Sequence, residues 1–111
     1  MPRTSTSDIS FLYREGARGI LVELDQKGPK RFSELYKSIQ FKTTTTLSDR
    51  LKELTKLGLI KREIENIPGK EIIIYYGITE AGRKTLEHLR EIEKIVSNSK
   101  IHTQKTIQVI N

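Results

Sequence analysis

Thr43-Thr-Thr-Thr-Leu47-Ser-Asp-Arg-Leu51-Lys-Glu-Leu54-Thr-Lys-Leu-Gly58 is the stretch on which the fold turns. Leu47, Leu51 and Leu54 recur at i, i+4 and i+7, the spacing of a helix that buries one stripe. Thr43 suits the N-cap, because a threonine hydroxyl can accept from the free amides of a first turn. Gly58 ends the helix. With the leucines buried, a rotation of about 100° per residue turns Lys42, Thr45, Asp49, Lys52 and Lys56 outward, flanked by Thr46, Ser48 and Arg50.

Upstream, Gln40-Phe41-Lys42 reads as a tight turn. Ser33 is the expected N-cap of a second helix from Glu34 to about Ile39, with Leu35 and Ile39 inward. Arg31-Phe32 fits a short strand, and Lys27-Gly28-Pro29 stops whatever precedes it. Ser7-Asp8 opens a first helix carrying Ile9, Leu12, Ile20, Leu21 and Leu24. It runs to about Gln26, either whole or in two pieces broken near Gly16.

Downstream, Leu59 to Glu65 reads as a strand with Ile60 and Ile64 on one face. Asn66-Ile67-Pro68-Gly69-Lys70 is a turn whose Pro-Gly pair favours type II, and Glu71 to Ile78 is a second, β-branched strand. Thr79 caps a last helix from Glu80 to about Ser97. Residues 98–111 form a tail: a strand at Thr106–Ile110, a partner-binding segment, or disorder. The expected class is mainly α with a small β-hairpin wing, in the order α-β-α-α-β-β-α. That order is a winged helix-turn-helix, one domain over 1–97 including its terminal helices.

The 111 residues carry 20 Lys+Arg against 14 Asp+Glu, a net charge of +6. The excess is local. Lys27 to Arg62 holds ten bases and three acids, an excess of seven, so the remainder is slightly acidic. A polyanionic partner follows from such a patch.

Three motifs, in this order, resemble the HxlR-type regulators and the related MarR-like and PadR-like winged-helix regulators. They are Gly28-Pro-Lys-Arg-Phe-Ser-Glu-Leu35; Leu47-Ser-Asp-Arg-Leu-Lys-Glu-Leu54 with Leu57-Gly-Leu-Ile-Lys-Arg62; and Tyr76-Gly-Ile-Thr-Glu-Ala-Gly-Arg83. The resemblance implies a transcriptional regulator that dimerises through its terminal helices and reads DNA with its third helix. Two features depart from the pattern. The turn before the third helix lacks the glycine often found there, and the four opening threonines are not a family feature.

A helix fits the major groove, where each base pair presents a distinct donor and acceptor pattern. The expected contacts from the third helix are Lys42, Thr43, Thr44, Thr45, Thr46, Ser48, Asp49, Arg50 and Lys52. Threonine offers a hydroxyl to a phosphate or base edge and a methyl to thymine. The plainer reading is that the threonines only cap the helix and face water. Arg50 suits guanine or a phosphate but sits towards the side of the helix. Asp49 either accepts from a cytosine amine or holds Arg50 or a lysine in place. Lys42, Lys52 and Lys56 suit phosphates. The hairpin wing adds Arg62, Pro68, Gly69 and Lys70, with Arg31 flanking; the alternative is an exposed loop whose lysine serves solubility.

Leu86, Leu89, Ile92, Ile95 and Val96 lie three or four apart on the last helix, an apolar stripe that needs cover. A two-fold mate would supply it, joined by Phe11 and Leu12 (and Tyr13) from the first helix. The alternative is packing on the protein's own core. A homodimer would set two third helices about one DNA turn (~34–36 Å) apart, so the expected target is an inverted repeat in double-stranded DNA.

Other classes fit less well. No cysteine is present, which removes disulfides, thiolate zinc sites and a cysteine nucleophile. His88 and His102 show neither metal nor triad spacing, and no glycine-rich phosphate loop occurs. Neither an enzyme nor a cofactor or metal is expected, and nothing marks a small-molecule effector site. No apolar run approaches a membrane span, so a cytoplasmic, nucleoid-associated protein is expected. A protein-interaction scaffold or a non-specific architectural DNA-binding protein is the alternative function.

Overall fold

The computed structural model describes residues 6–110, with side chains described over 10–100. The Ser7-Asp8 cap and the side chains beyond Lys100 lie outside that description. A 3-10 segment, Thr6–Tyr13, leads into helix α1, Ala17–Lys27. The break falls at Gly16, which adopts φ +87, so the first helix forms in two pieces. A Cβ at Gly16 would collide with the Phe41 ring. Both the left-handed backbone and the close approach therefore demand glycine there. Ala17, Ile20, Leu21 and Leu24 are fully covered, and Gly28 ends α1 by donating its N–H to the Leu24 carbonyl at 3.0 Å.

No strand forms at Arg31-Phe32. Lys30 instead makes an isolated bridge to Tyr76, with N–H to carbonyl distances of 2.9 and 2.8 Å. Helix α2, Phe32–Ile39, starts two residues earlier than Ser33 capping would place it. The carboxylate of Glu34 accepts from the Arg31 amide at 2.8 Å. An acid at the third helical position thus satisfies the first free donor, and no serine cap is needed. Gln40 closes α2 at φ +61. It does the work of the missing glycine, and Phe41 then turns into the core.

Helix α3 spans Thr44–Lys56 with Leu47, Leu51 and Leu54 buried. Strands β1, Ile60–Glu65, and β2, Ile73–Ile78, pair antiparallel from Ile60↔Ile78 to Glu65↔Ile73. At the tip Lys70 donates to the Ile67 carbonyl at 3.0 Å, and Gly69 has φ +83. This is the type II geometry that Pro68-Gly69 prescribes. The root of the hairpin is in the core, while Ile64 is 58% exposed.

Helix α4, Glu80–Ile110, is capped by Thr79, whose hydroxyl accepts from Gly82 N and donates to the Gly58 carbonyl at 2.7 Å. The expected end at Ser97, and the strand at Thr106–Ile110, give way to continuous helix through Ile110. No glycine or proline follows Gly82. Once nucleated, a helix propagates through threonine and isoleucine at small cost per residue. Residues from α1, α2, α3, the hairpin and the start of α4 share one core.

Candidate nucleic-acid interface

The candidate surface is assembled from α3 and the wing. The Thr43 hydroxyl accepts from Thr46 N at 3.1 Å and lies 2.9 Å from the Thr46 hydroxyl. Two of the four threonines are thus joined in the cap, with Thr46 half-buried. Thr44 and Thr45 carry no such bond and are exposed, as are Lys42, Asp49 and Lys52. Ser48 is half-buried on the flank. Arg50 turns the other way. Its side chain is 14% exposed, donates to the Glu15 carbonyl at 3.0 Å and meets Glu53 at 2.8 Å.

Between α3 and the wing runs a groove of about 460 Å³, lined by Ser48, Lys52, Thr55, Lys56 and Arg62 over a floor of Leu51 and Tyr76. Arg62 pairs with Tyr76 across the hairpin. Both therefore share the face that carries Ile60 and Ile78 into the core, and that face looks onto α3. Thr55 and Tyr76 were not among the contacts expected of this surface, whereas Lys56 was expected at a phosphate. The period-two alternation of β1 groups Arg62 with Ile60, but only the strand register adds Tyr76. Pro68, Gly69 and Lys70 sit exposed at the far tip, and Arg31 is exposed beside the start of α2.

Charge is unevenly neutralised. Of the ten bases from Lys27 to Arg62, Lys27, Arg50 and Lys61 have carboxylate partners, namely Glu23, Glu53 and Glu63. The side-chain cations of Lys30, Arg31, Lys37, Lys42, Lys52, Lys56 and Arg62 pair with no carboxylate among the described residues. Elsewhere, two ion pairs tie α1 to α4: Arg18 grips Glu93 with two bonds of 2.6 and 2.9 Å, and Arg83 reaches Asp25 at 3.5 Å.

The apolar stripe of α4 divides. Leu86 and Leu89 are buried at 1% and 8% exposure within the protomer, where the first turns of α4 pack on α1 and β2. Leu86 belongs to the protein's own core, and Leu89 lies at its edge. Ile92, Ile95 and Val96 remain 48%, 63% and 50% exposed. Phe11 and Leu12 are half-buried, and Leu12 and Tyr13 line a groove with Leu89 and Ile92. No helix among the described residues is long and apolar enough to cross a membrane.

A helix-turn-helix backed by a two-stranded wing defines the class: a winged helix-turn-helix protein. Residues 17–104 match the model of the HxlR-like helix-turn-helix family, and the chain belongs to that family. A relative from Methanocaldococcus jannaschii, protein MJ0944, is 38% identical over 103 residues, covering 93% of this chain and 84% of its own. The HTH-type transcriptional regulator YodB of Bacillus subtilis is similar in structure, with a TM-score of 0.71 at 26% identity for its diamide-treated form, over 88% of this chain and 94% of that one. A PadR family transcription regulator from Clostridium difficile R20291 shares the fold, with a TM-score of 0.67 at 22% identity, over 75% of this chain and 91% of that one.

Proposed function

We propose that this chain is a homodimeric, sequence-specific regulator of transcription that binds double-stranded DNA at the nucleoid, in the cytoplasm. In this reading α3 lies in the major groove and presents Thr44 and Thr45 to base edges. Lys42, Lys52, Lys56 and Arg62 hold phosphates. The groove between α3 and the wing receives the backbone strand that separates the major groove from the neighbouring minor groove, which the wing tip approaches with Lys70. Two copies join through Ile92, Ile95 and Val96, which pairs their α3 helices on an inverted repeat.

The observation that carries the reading is the set of seven cations without a carboxylate partner, three of which border a single groove. Unpaired bases so close together repel one another, and a polyanion relieves that repulsion. The YodB structure above carries a diamide treatment, and diamide acts on thiols. The 111 residues here hold no cysteine, so thiol oxidation within them cannot be the control signal.

Unbiased selection of bound fragments from random duplex DNA, followed by affinity measurement across salt, tests the reading. The expected result is a symmetric motif with log affinity falling linearly against log salt, by about 0.9 for each phosphate neutralised. Absence of enrichment together with a flat salt response would mark the protein as a scaffold instead. Lys52→Ala and Arg62→Ala should each lower the slope by about one and weaken all sequences alike.

A further inference from the structure

The bend between the 3-10 segment and α1 holds α3 from the side opposite its outward face. Phe41, just ahead of α3, occupies the space that a side chain at Gly16 would need. Arg50 donates to the Glu15 carbonyl. Glu53 is met on both carboxylate oxygens by guanidiniums, Arg50 of α3 at 2.8 Å and Arg14 of the bend at 3.2 Å. Its side chain is only 16% exposed, so these bonds are partly shielded from water. Arg14 is itself steadied over the Phe11 ring, 5.0 Å from the centroid. The contacts at Phe41, Arg50 and Glu53 fix both the position of α3 and its rotation about its axis. The next residues back, Leu12 and Tyr13, line the groove against Leu89 and Ile92 of α4. The bend therefore touches both the proposed reading helix and the proposed dimer face.

We propose that Glu53 is a positioning residue for DNA recognition: with Arg50 and Arg14 it locks α3 to the N-terminal bend, and so sets the angle at which α3 meets the duplex. This rests on the reading that α3 binds DNA. Electrostatics gives the proposal a sign. Glu53 is an acid on a helix that approaches a polyanion. If it acted only through its charge, removing that charge would strengthen binding. If it positions the helix, the same change weakens binding. Arg14 supplies the converse. As a phosphate contact, its loss would lower the salt slope by about 0.9; as a part of the lock, its loss leaves the slope where it was.

The full-length chain and its Glu53→Gln and Arg14→Gln variants are titrated against the DNA fragment that the wild type selects, at several salt concentrations. Glutamine keeps one acceptor for Arg50, which preserves the fold. The expected result is binding about three- to tenfold weaker for each variant with the wild-type salt slope, and a double variant less impaired than the product of the two. Equal or tighter binding by Glu53→Gln overturns the proposal. So does a reduced slope for Arg14→Gln, which remains informative should the Glu53 variant fold poorly. Failure of the wild type itself to select any fragment is a separate result, and it removes the DNA-binding reading beneath the proposal.

Discussion

Gln40 holds a left-handed backbone conformation, φ +61, between α2 and α3. A residue with a Cβ bears a penalty there of about 1 kcal/mol that glycine avoids. Gln40→Gly is therefore expected to raise stability by up to about 1 kcal/mol, seen as a higher thermal midpoint at fixed protein concentration. The threonines separate in the same manner. Thr43→Ala removes the cap of α3 and should lower stability by about 1 kcal/mol. Thr45→Ala should leave stability unchanged and weaken binding to the selected site more than to random DNA. Equal loss on both DNAs would show that Thr45 does not read bases. At this scale the sequence is readable wherever the governing interaction is local. The cap at Thr43, the stops at Gly28 and Gly58 and the turn at Pro68-Gly69 all depend on neighbours within four residues. Arg50 is the counterexample: its partner Glu15 lies 35 positions away, and no spacing rule brings them together.

Elements follow the same logic with longer reach. The leucine stripe of α3 reports which face is buried, and the structure buries it; the alternation of β1 holds only at its root, where Ile60 is buried while Ile64 stays exposed. Helix ends are less secure. α2 begins at Phe32 because Glu34 supplies the acceptor, and the bridge at Lys30 replaces a strand because only one residue meets Tyr76 squarely. The end of α4 was obscured because its β-branched residues signal strand, while uninterrupted helical hydrogen bonding outweighs that preference. The wing is an element with a testable division of labour. Arg62 at its root borders the groove beside α3, whereas Lys70 stands at the tip. Lys70→Ala should cost affinity on every sequence and lower the salt slope by about one. An unchanged slope would restrict the wing's contribution to its root.

For the molecule as a whole, the sequence stripe on α4 conflates two surfaces. Leu86 and Leu89 are covered within the protomer, while Ile92, Ile95 and Val96 stay exposed and are the part of the stripe proposed to meet a second copy. Spacing alone cannot divide such a stripe, since the boundary is set by where α1 and the hairpin stop covering the helix. Ile92→Arg combined with Ile95→Arg should therefore yield folded monomers in sedimentation, with little change in core stability. A persistent dimer would place the interface elsewhere. Gly82 adds a mechanical consequence. A Cβ there would strike the Leu59 carbonyl and crowd Ile78, so any larger residue must pry the base of α4 away from the hairpin. From Gly82 to Ile95 is a lever of roughly 20 Å, along which a tilt of about five degrees becomes a displacement of nearly 2 Å. If two copies read an inverted repeat as proposed, a substitution at this one glycine would shift the preferred spacing between its halves while leaving the preferred bases within each half untouched.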